Sequence, residues 1–238
     1  MRRSVVGQQR NGHLSMGDES MRVLITGADT TLGAAVADYF TSRGAVTEGA
    51  DADPTDSVDV RRAVAQAADV MGGIDALVVA HALPRVAAFA EQSMDMFWDH
   101  VDATLTGSFL YAQAAAEHMR HNDTGGRIVL TTSRWHVGGP ELSAVATAAG
   151  GIVALTKTLT RDLGGFGIGV NAVAVGAVDS EWSVCDAAAG LPGGVPPTGR
   201  FGTVEQVARV IGLLCRRRLG AAVGQIVNVD GGTSRNRV

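Results

Sequence analysis

Lysine and tyrosine are nearly missing from this chain: its 238 residues hold one lysine, Lys157, and two tyrosines, Tyr39 and Tyr111. Cysteine is as scarce, with Cys185 and Cys215 in neither a CxxC nor a paired-histidine context, so no metal motif and no disulfide framework is expected. A reduced, cytoplasmic setting follows as the default. No basic block stands out against a formal charge of −4, and the run Arg216-Arg217-Arg218 is too short to argue for nucleic acid; it reads as a solvated helix end. No apolar run approaches the ~20 residues needed to cross a bilayer. Arg2-Arg3 is followed by no apolar core, which excludes a secretion signal. Residues 1–20 read as a mobile extension, or an over-long start, since Met16 and Met21 also precede the first strand.

What is present suits one compact α/β domain over residues 21–238, 46% of the whole chain being hydrophobic. "MRVLITGA" reads as a buried strand, "LGAAVADYFTSRG" as a helix stopped by Gly44, and "AVTEGA" as a second strand. A helix, "SVDVRRAVAQAADVMGG", and a third strand, "IDALVVAHA", follow. Beyond these come a long helix from about Met94 to His121, the strand "GRIVLTTS", and a helix from Ala144 to Leu163. The chain closes with the strand "GVNAVAVGAV", the helix "TVEQVARVIGLLCRRR" and the strand "GQIVNVDGG". Strands alternating with helices predict a single Rossmann-like, doubly wound parallel sheet. The segment from Asp179 to Pro197 is the one long irregular stretch, and it should hang over the carboxyl ends of the strands, where such sheets bind ligands.

"TGADTTLG" opens the first helix. Gly27 permits a tight turn, and Gly33 permits close packing or the approach of a phosphate to the helix amides. Glu48 lies 21 residues after Gly27, close to the spacing at which an acid reaches a ribose hydroxyl. With the rest of the chain, this turn resembles the short-chain dehydrogenase/reductase family from about Met21 to Gly232. Thr26-Gly27…Gly33 resembles TGxxxGxG, "GRIV" leads to Ser133, "VNAVAVGAV" resembles VNxVxPG, and "GRFGTVEQVA…GQIVNVDGG" resembles the family's closing segment.

The resemblance implies an active site of Asn, Ser, Tyr and Lys, and here most of it is missing. Ser133 matches the serine, but the tyrosine position falls on Val145, the lysine position on Ala149 and the asparagine position on Thr104. Tyr111 lies about 10 Å along its helix from Thr104, and Lys157 about 80° around the helix from Ala149, so no Tyr–Lys pair is rebuilt. The implied cofactor positions are Thr26, Gly27, Thr31, Leu32, Gly33, Glu48, Asp53 and Ala80. Here too the pattern departs, because Thr31 replaces the middle glycine, Val79-Ala80-His81-Ala82 replaces NNAG, and Val175 replaces the proline of PG. Only four residues separate Glu48 from Asp53, too few for a crossover of about a dozen, so a strand in the strand 2–strand 3 region should be shortened or lost. No arginine follows Gly27 or Glu48, which favours NAD over NADP if either binds.

A different chemistry would draw on His81, Thr132, Ser133, Arg134, Trp135 and His136. His81 beside Ser133 would make a general base; the competing and favoured reading is a satisfied, partly buried histidine filling room that a cofactor would take. Ser133 then becomes a relic whose hydroxyl bonds backbone, and Cys185, with no base or cation beside it, an inert thiol. The first expectation is a non-catalytic family member, a partner or binding subunit in a homo-oligomer or in a hetero-oligomer with a catalytic homologue. Alternatives are a biosynthetic enzyme of other chemistry (dehydration, cyclisation or isomerisation) using His81 and Ser133, and an NAD(P)-dependent reductase with a substitute proton donor.

Overall fold

The computed structural model describes residues 21–50, 52–81, 84–189 and 195–234. The extension expected over residues 1–20 and Ala82 lie outside them. Six strands form one parallel sheet: β1 (Arg22–Thr26), β2 (Val46–Ala50), β3 (Ala76–Val79), β4 (Gly126–Ser133), β5 (Ile168–Val175) and, closing the chain, Ile226–Val229. That last strand is β8, because the two-residue strands β6 (Val178–Asp179) and β7 (Gly202–Thr203) pair separately. The order across the sheet is β2-β1-β3-β4-β5-β8, as expected of a doubly wound fold.

Period-two alternation divides the strand residues between two cores. Leu24, Leu77, Val79, Ile128 and Leu130 face one side, against α2 (Ser57–Met71), α4 (Gly107–Met119) and α5 (Ser143–Leu163). Val23, Ile25, Val78 and Val129 face the other, against α1 (Thr31–Thr41) and α7 (Val204–Leu214). Both faces being covered, the central strands read as near-continuous apolar runs, which made them legible from sequence.

The compressed region after Glu48 has a concrete form. The chain leaves β2, enters α2 six residues later behind its Asp56 cap, and crosses to β3 on the far side of β1. Among the described residues no strand pairs with the outer side of β2, which is the sheet edge.

Three expectations are corrected. The long helix over Met94–His121 ends at Met119, and between α3 (Met94–Val101) and α4 it widens into a π-helical turn over Asp102–Thr106. Such a turn leaves no signature in the apolar period. Past Asp179 the chain is not irregular throughout, since α6 runs Ser183–Ala189. Helix α7 stops at Leu214, and Arg217 lies in a following turn where it pairs with Asp75 at 2.8 Å rather than ending a solvated helix. That pairing is tertiary: Asp75 also binds Arg22, which ties the amino-terminal ends of the strands together.

Candidate active site

At the carboxyl ends of β1, β2 and β3 lies a cavity of about 420 Å³, lined among others by Gly27, Gly49, Ala50, Pro54, His81 and Tyr111. Among the described residues Asp29 is the one formally charged side chain in its lining. Gly27 sits at φ 65°, and a Cβ there would lie 2.4 Å from the His81 Cα; the glycine is required by the end of β3 as much as by any ligand.

A closed hydrogen-bond relay runs beside this cavity. The Ala80 N–H donates to Thr26 Oγ1 at 3.0 Å, and Thr26 Oγ1 contacts His81 Nδ1 at 2.8 Å. His81 Nε2 is 2.8 Å from the Ala103 carbonyl in the π turn. A carbonyl only accepts, so Nε2 carries the proton; Nδ1 then accepts from the Thr26 hydroxyl. Burial lowers the His81 pKa below the usual imidazole value, and the bond to Ala103 raises it by less. The ring is thus neutral with both nitrogens engaged.

Ser133 makes no hydrogen bond with His81. Its Oγ accepts from the Trp135 N–H at 3.2 Å, capping the short turn Arg134–Val137, and its carbonyl contacts His136 Nδ1 at 3.0 Å. Val145 is 1% exposed and packs with Leu142, Cys185 and Trp135, while Ala149 is 3% exposed and its carbonyl accepts from Thr132 Oγ1. Thr104 is buried in the π turn with its Oγ1 unpartnered. Tyr111 lies at the cavity, its hydroxyl 3.5 Å from the Ala50 carbonyl, and Lys157 is exposed on α5. No tyrosine–lysine pair forms.

Directly after Ser133 in the chain, Arg134 enters a buried ion pair. Arg134 Nε donates to Asp186 Oδ1 at 2.6 Å, both side chains being at most 6% exposed. Asp186 also accepts from Trp135 Nε1 and from the Ala177 N–H, and the Arg134 guanidinium lies 3.9 Å over the Trp135 ring. Gly176 makes room for it, since a Cβ there would meet Arg134 Cδ at 2.0 Å. Ala177 turns the chain with φ 46°, a left-handed conformation that its bond to Asp186 helps hold. Burial, reinforced by Asp186, pushes the Cys185 thiol up to about 12, so it stays protonated and inert. The Arg134–Asp186 pair was missed from sequence because Asp186 carries no local signal.

The implied cofactor positions scatter. Thr26, Gly27 and Ala80 gather at the His81 relay, Leu32 is buried in the core, and the Gly33 N–H donates to the helix cap Thr30. Glu48 is the third residue of β2 and outside the cavity lining, and Asp53 is spent on the Thr55 N–H and hydroxyl, which lower its pKa. At Thr31, the first residue of α1, the backbone N–H donates to Glu181 Oε1 at 2.9 Å and the hydroxyl to Glu181 Oε2. A carboxylate therefore holds the helix terminus where a dinucleotide's diphosphate would lie. As arranged, these residues do not fit that diphosphate.

A family model described as enoyl-(acyl carrier protein) reductase matches residues 14–234. The chain belongs to the short-chain dehydrogenase/reductase family. Family members typically bind NAD(P). The (2S)-[(R)-hydroxy(phenyl)methyl]succinyl-CoA dehydrogenase subunit BbsD of Thauera aromatica is 32% identical, covering 97% of this chain and 94% of its own. The 3-oxoacyl-[acyl-carrier-protein] reductase MabA of Mycobacterium tuberculosis is 28% identical, covering 90% and 92%. A crystal structure of a short-chain type dehydrogenase/reductase from Mycobacterium marinum superposes with a TM-score of 0.81 at 28% identity, over 91% of this chain and 97% of that one. Among the described residues no helix is long and apolar enough to cross a membrane.

Proposed function

We propose that this chain serves an oxidoreductase of the short-chain dehydrogenase/reductase type as a non-transferring subunit, with proton transfer supplied by a catalytic homologue. The observation that carries this reading is the pair Val145 and Ala149, buried and apolar where the family's proton donor and its lysine would stand. Removing a positioned acid–base group costs typically 10²–10⁴-fold in rate. Of the groups left nearby, Arg134 pairs with Asp186 through Nε while its Nη2 is buried without a hydrogen-bond partner, and both nitrogens of His81 are engaged, by Thr26 and Ala103. BbsD, whose printed name is that of a dehydrogenase subunit, supports a role within an assembly. We place the assembly in the cytoplasm and, where a nicotinamide cofactor enters it through this chain, favour NAD, because no arginine follows Gly27 or Glu48.

The relatives' names favour the second reading, an enzyme in its own right, since they are dehydrogenases and reductases. Under it His81, Ser133 or a substitute donor carries the chemistry. Purifying the chain alone and co-expressed with a catalytic family member separates the two. A stable hetero-oligomer, with NAD(P)-linked turnover only when the homologue's own tyrosine is intact, supports the subunit reading. Turnover by this chain alone, lost in His81→Ala or Ser133→Ala, would overturn it.

A further inference from the structure

The contact between Glu181 and Thr31 joins residues 150 positions apart and sets a carboxylate on the first turn of an eleven-residue helix. A negative group there is favoured by the helix dipole and by a free amide, the same two features that draw a phosphate. Burial pushes the Glu181 pKa up, but the hydrogen bonds from Thr31 outweigh it and leave the carboxyl below its usual range, ionised at neutral pH.

Glu181 is also fixed from both sides along its own segment. The next residue, Trp182, is 5% exposed and packs in the core with α1 and α7, its N–H bonded to Ser180 Oγ. Five residues on, Asp186 is locked to Arg134, Trp135 and Ala177. The carboxylate is therefore presented by an anchored segment and is no stray surface side chain. Among its described lining residues, the nearby cavity holds Asp29 and no lysine or arginine. A diphosphate entering there would meet two carboxylates and compete for an amide already in use.

We propose that Glu181 is a built-in occupant of the α1 anion site, which excludes a dinucleotide's diphosphate until the carboxylate withdraws. Thr31 takes part by supplying both the amide and a hydroxyl, a donor that glycine at this position could not offer. The inference goes beyond the functional proposal, because it holds for a subunit that leaves the cofactor to its partner and for an enzyme opened by its substrate.

The test reads affinity and not turnover, so its failure is distinct from failure of the subunit reading. Wild type, Glu181→Ala and Glu181→Gln are titrated with NADH and NADPH by nicotinamide fluorescence, with the melting temperature of each followed with and without nucleotide. If the closed arrangement outweighs the open one by about ten to one, removing it tightens apparent binding about tenfold. Glu181→Ala is expected to show that gain, together with a nucleotide-dependent rise in melting temperature absent from wild type. Glu181→Gln, which keeps the length and loses the charge, is expected between the two and guards against a folding defect in the shorter variant. Equal affinities across all three folded proteins, whether tight or immeasurable, would overturn the proposal.

Discussion

The two halves of the cleft above the sheet have different fates. At the ends of β1, β2 and β3 the chain keeps a cavity walled by small residues and a neutral hydrogen-bond relay, Ala80 to Thr26 to His81 to Ala103. Around the ends of β4 and β5 the described residues are tied by side-chain contacts, Val145 packing with Cys185 and Trp135 and Arg134 pairing with Asp186. Val145 and Ala149 are buried apolar residues there, and the charged pair that follows Ser133 is buried as well. At the start of α1, which follows β1, Thr31 binds Glu181.

The half around β4 and β5 should be the less forgiving. Asp186→Ala leaves a buried guanidinium without its counter-ion and strips the Trp135 and Ala177 N–H groups of their acceptor. Breaking a buried pair from one side costs about 3–5 kcal/mol, which for a domain of this size lowers the melting temperature by roughly 6–20 °C. Calorimetry or thermal circular dichroism reads this directly. Arg134→Met combined with Asp186→Leu is expected to recover part of the loss, since an apolar pair removes the stranded charge. A loss under about 1 kcal/mol in Asp186→Ala would mean that the fold depends little on the pair.

How much of this was legible beforehand follows from distance along the chain. The central strands were readable because each is a local apolar run between turn residues, and Val145 and Ala149 could be placed on α5 because both are counted from Ser133 within one strand–helix unit. The lost outer strand was readable from the short interval between Glu48 and Asp53. The contacts between distant segments were not readable: Asp186 lies 52 residues from Arg134, and Glu181 lies 150 from Thr31. Nor was the π turn, whose effect is to offer the Ala103 carbonyl to His81; the bond at Nε2, and with it the ring's tautomer, depends on that turn. Charge pairing and backbone irregularity are tertiary facts with no period of their own.

The open half rests on the relay, and its effect is intermediate. Thr26→Val, at a fully buried position, leaves the Ala80 N–H and His81 Nδ1 without partners and should cost about 1–3 kcal/mol. The same relay gives a pH signature. The folded His81 pKa lies below its ordinary value of about 6.5, so below that pH the unfolded chain binds more protons than the folded one. This contribution to stability is therefore full above about pH 6.5 and is lost as pH falls toward the folded pKa. In urea titrations between about pH 5 and 7.5, the difference between wild type and His81→Gln isolates it from the other histidines. A difference that does not change with pH would show that the ring is not held neutral.

The smallest effect should come from the opposite end of the sheet, at the amino-terminal ends of its strands. Arg217 also pairs with a carboxylate at 2.8 Å, but its side chain is 42% exposed, against 6% for Arg134. Water screens such a pair, and Asp75 keeps its bonds to Arg22 when Arg217 is removed. Arg217→Ala should therefore cost about 0.2–1 kcal/mol, with the loss shrinking further at high salt. Similar lengths with unequal consequences would show that burial, and not the bond itself, sets how much the fold depends on the Arg134–Asp186 pair. If Arg217→Ala proved as damaging as Asp186→Ala, the contrast between the two halves would lose its cause, and the reacting end would be stabilised no differently from any other ion-paired edge of the fold.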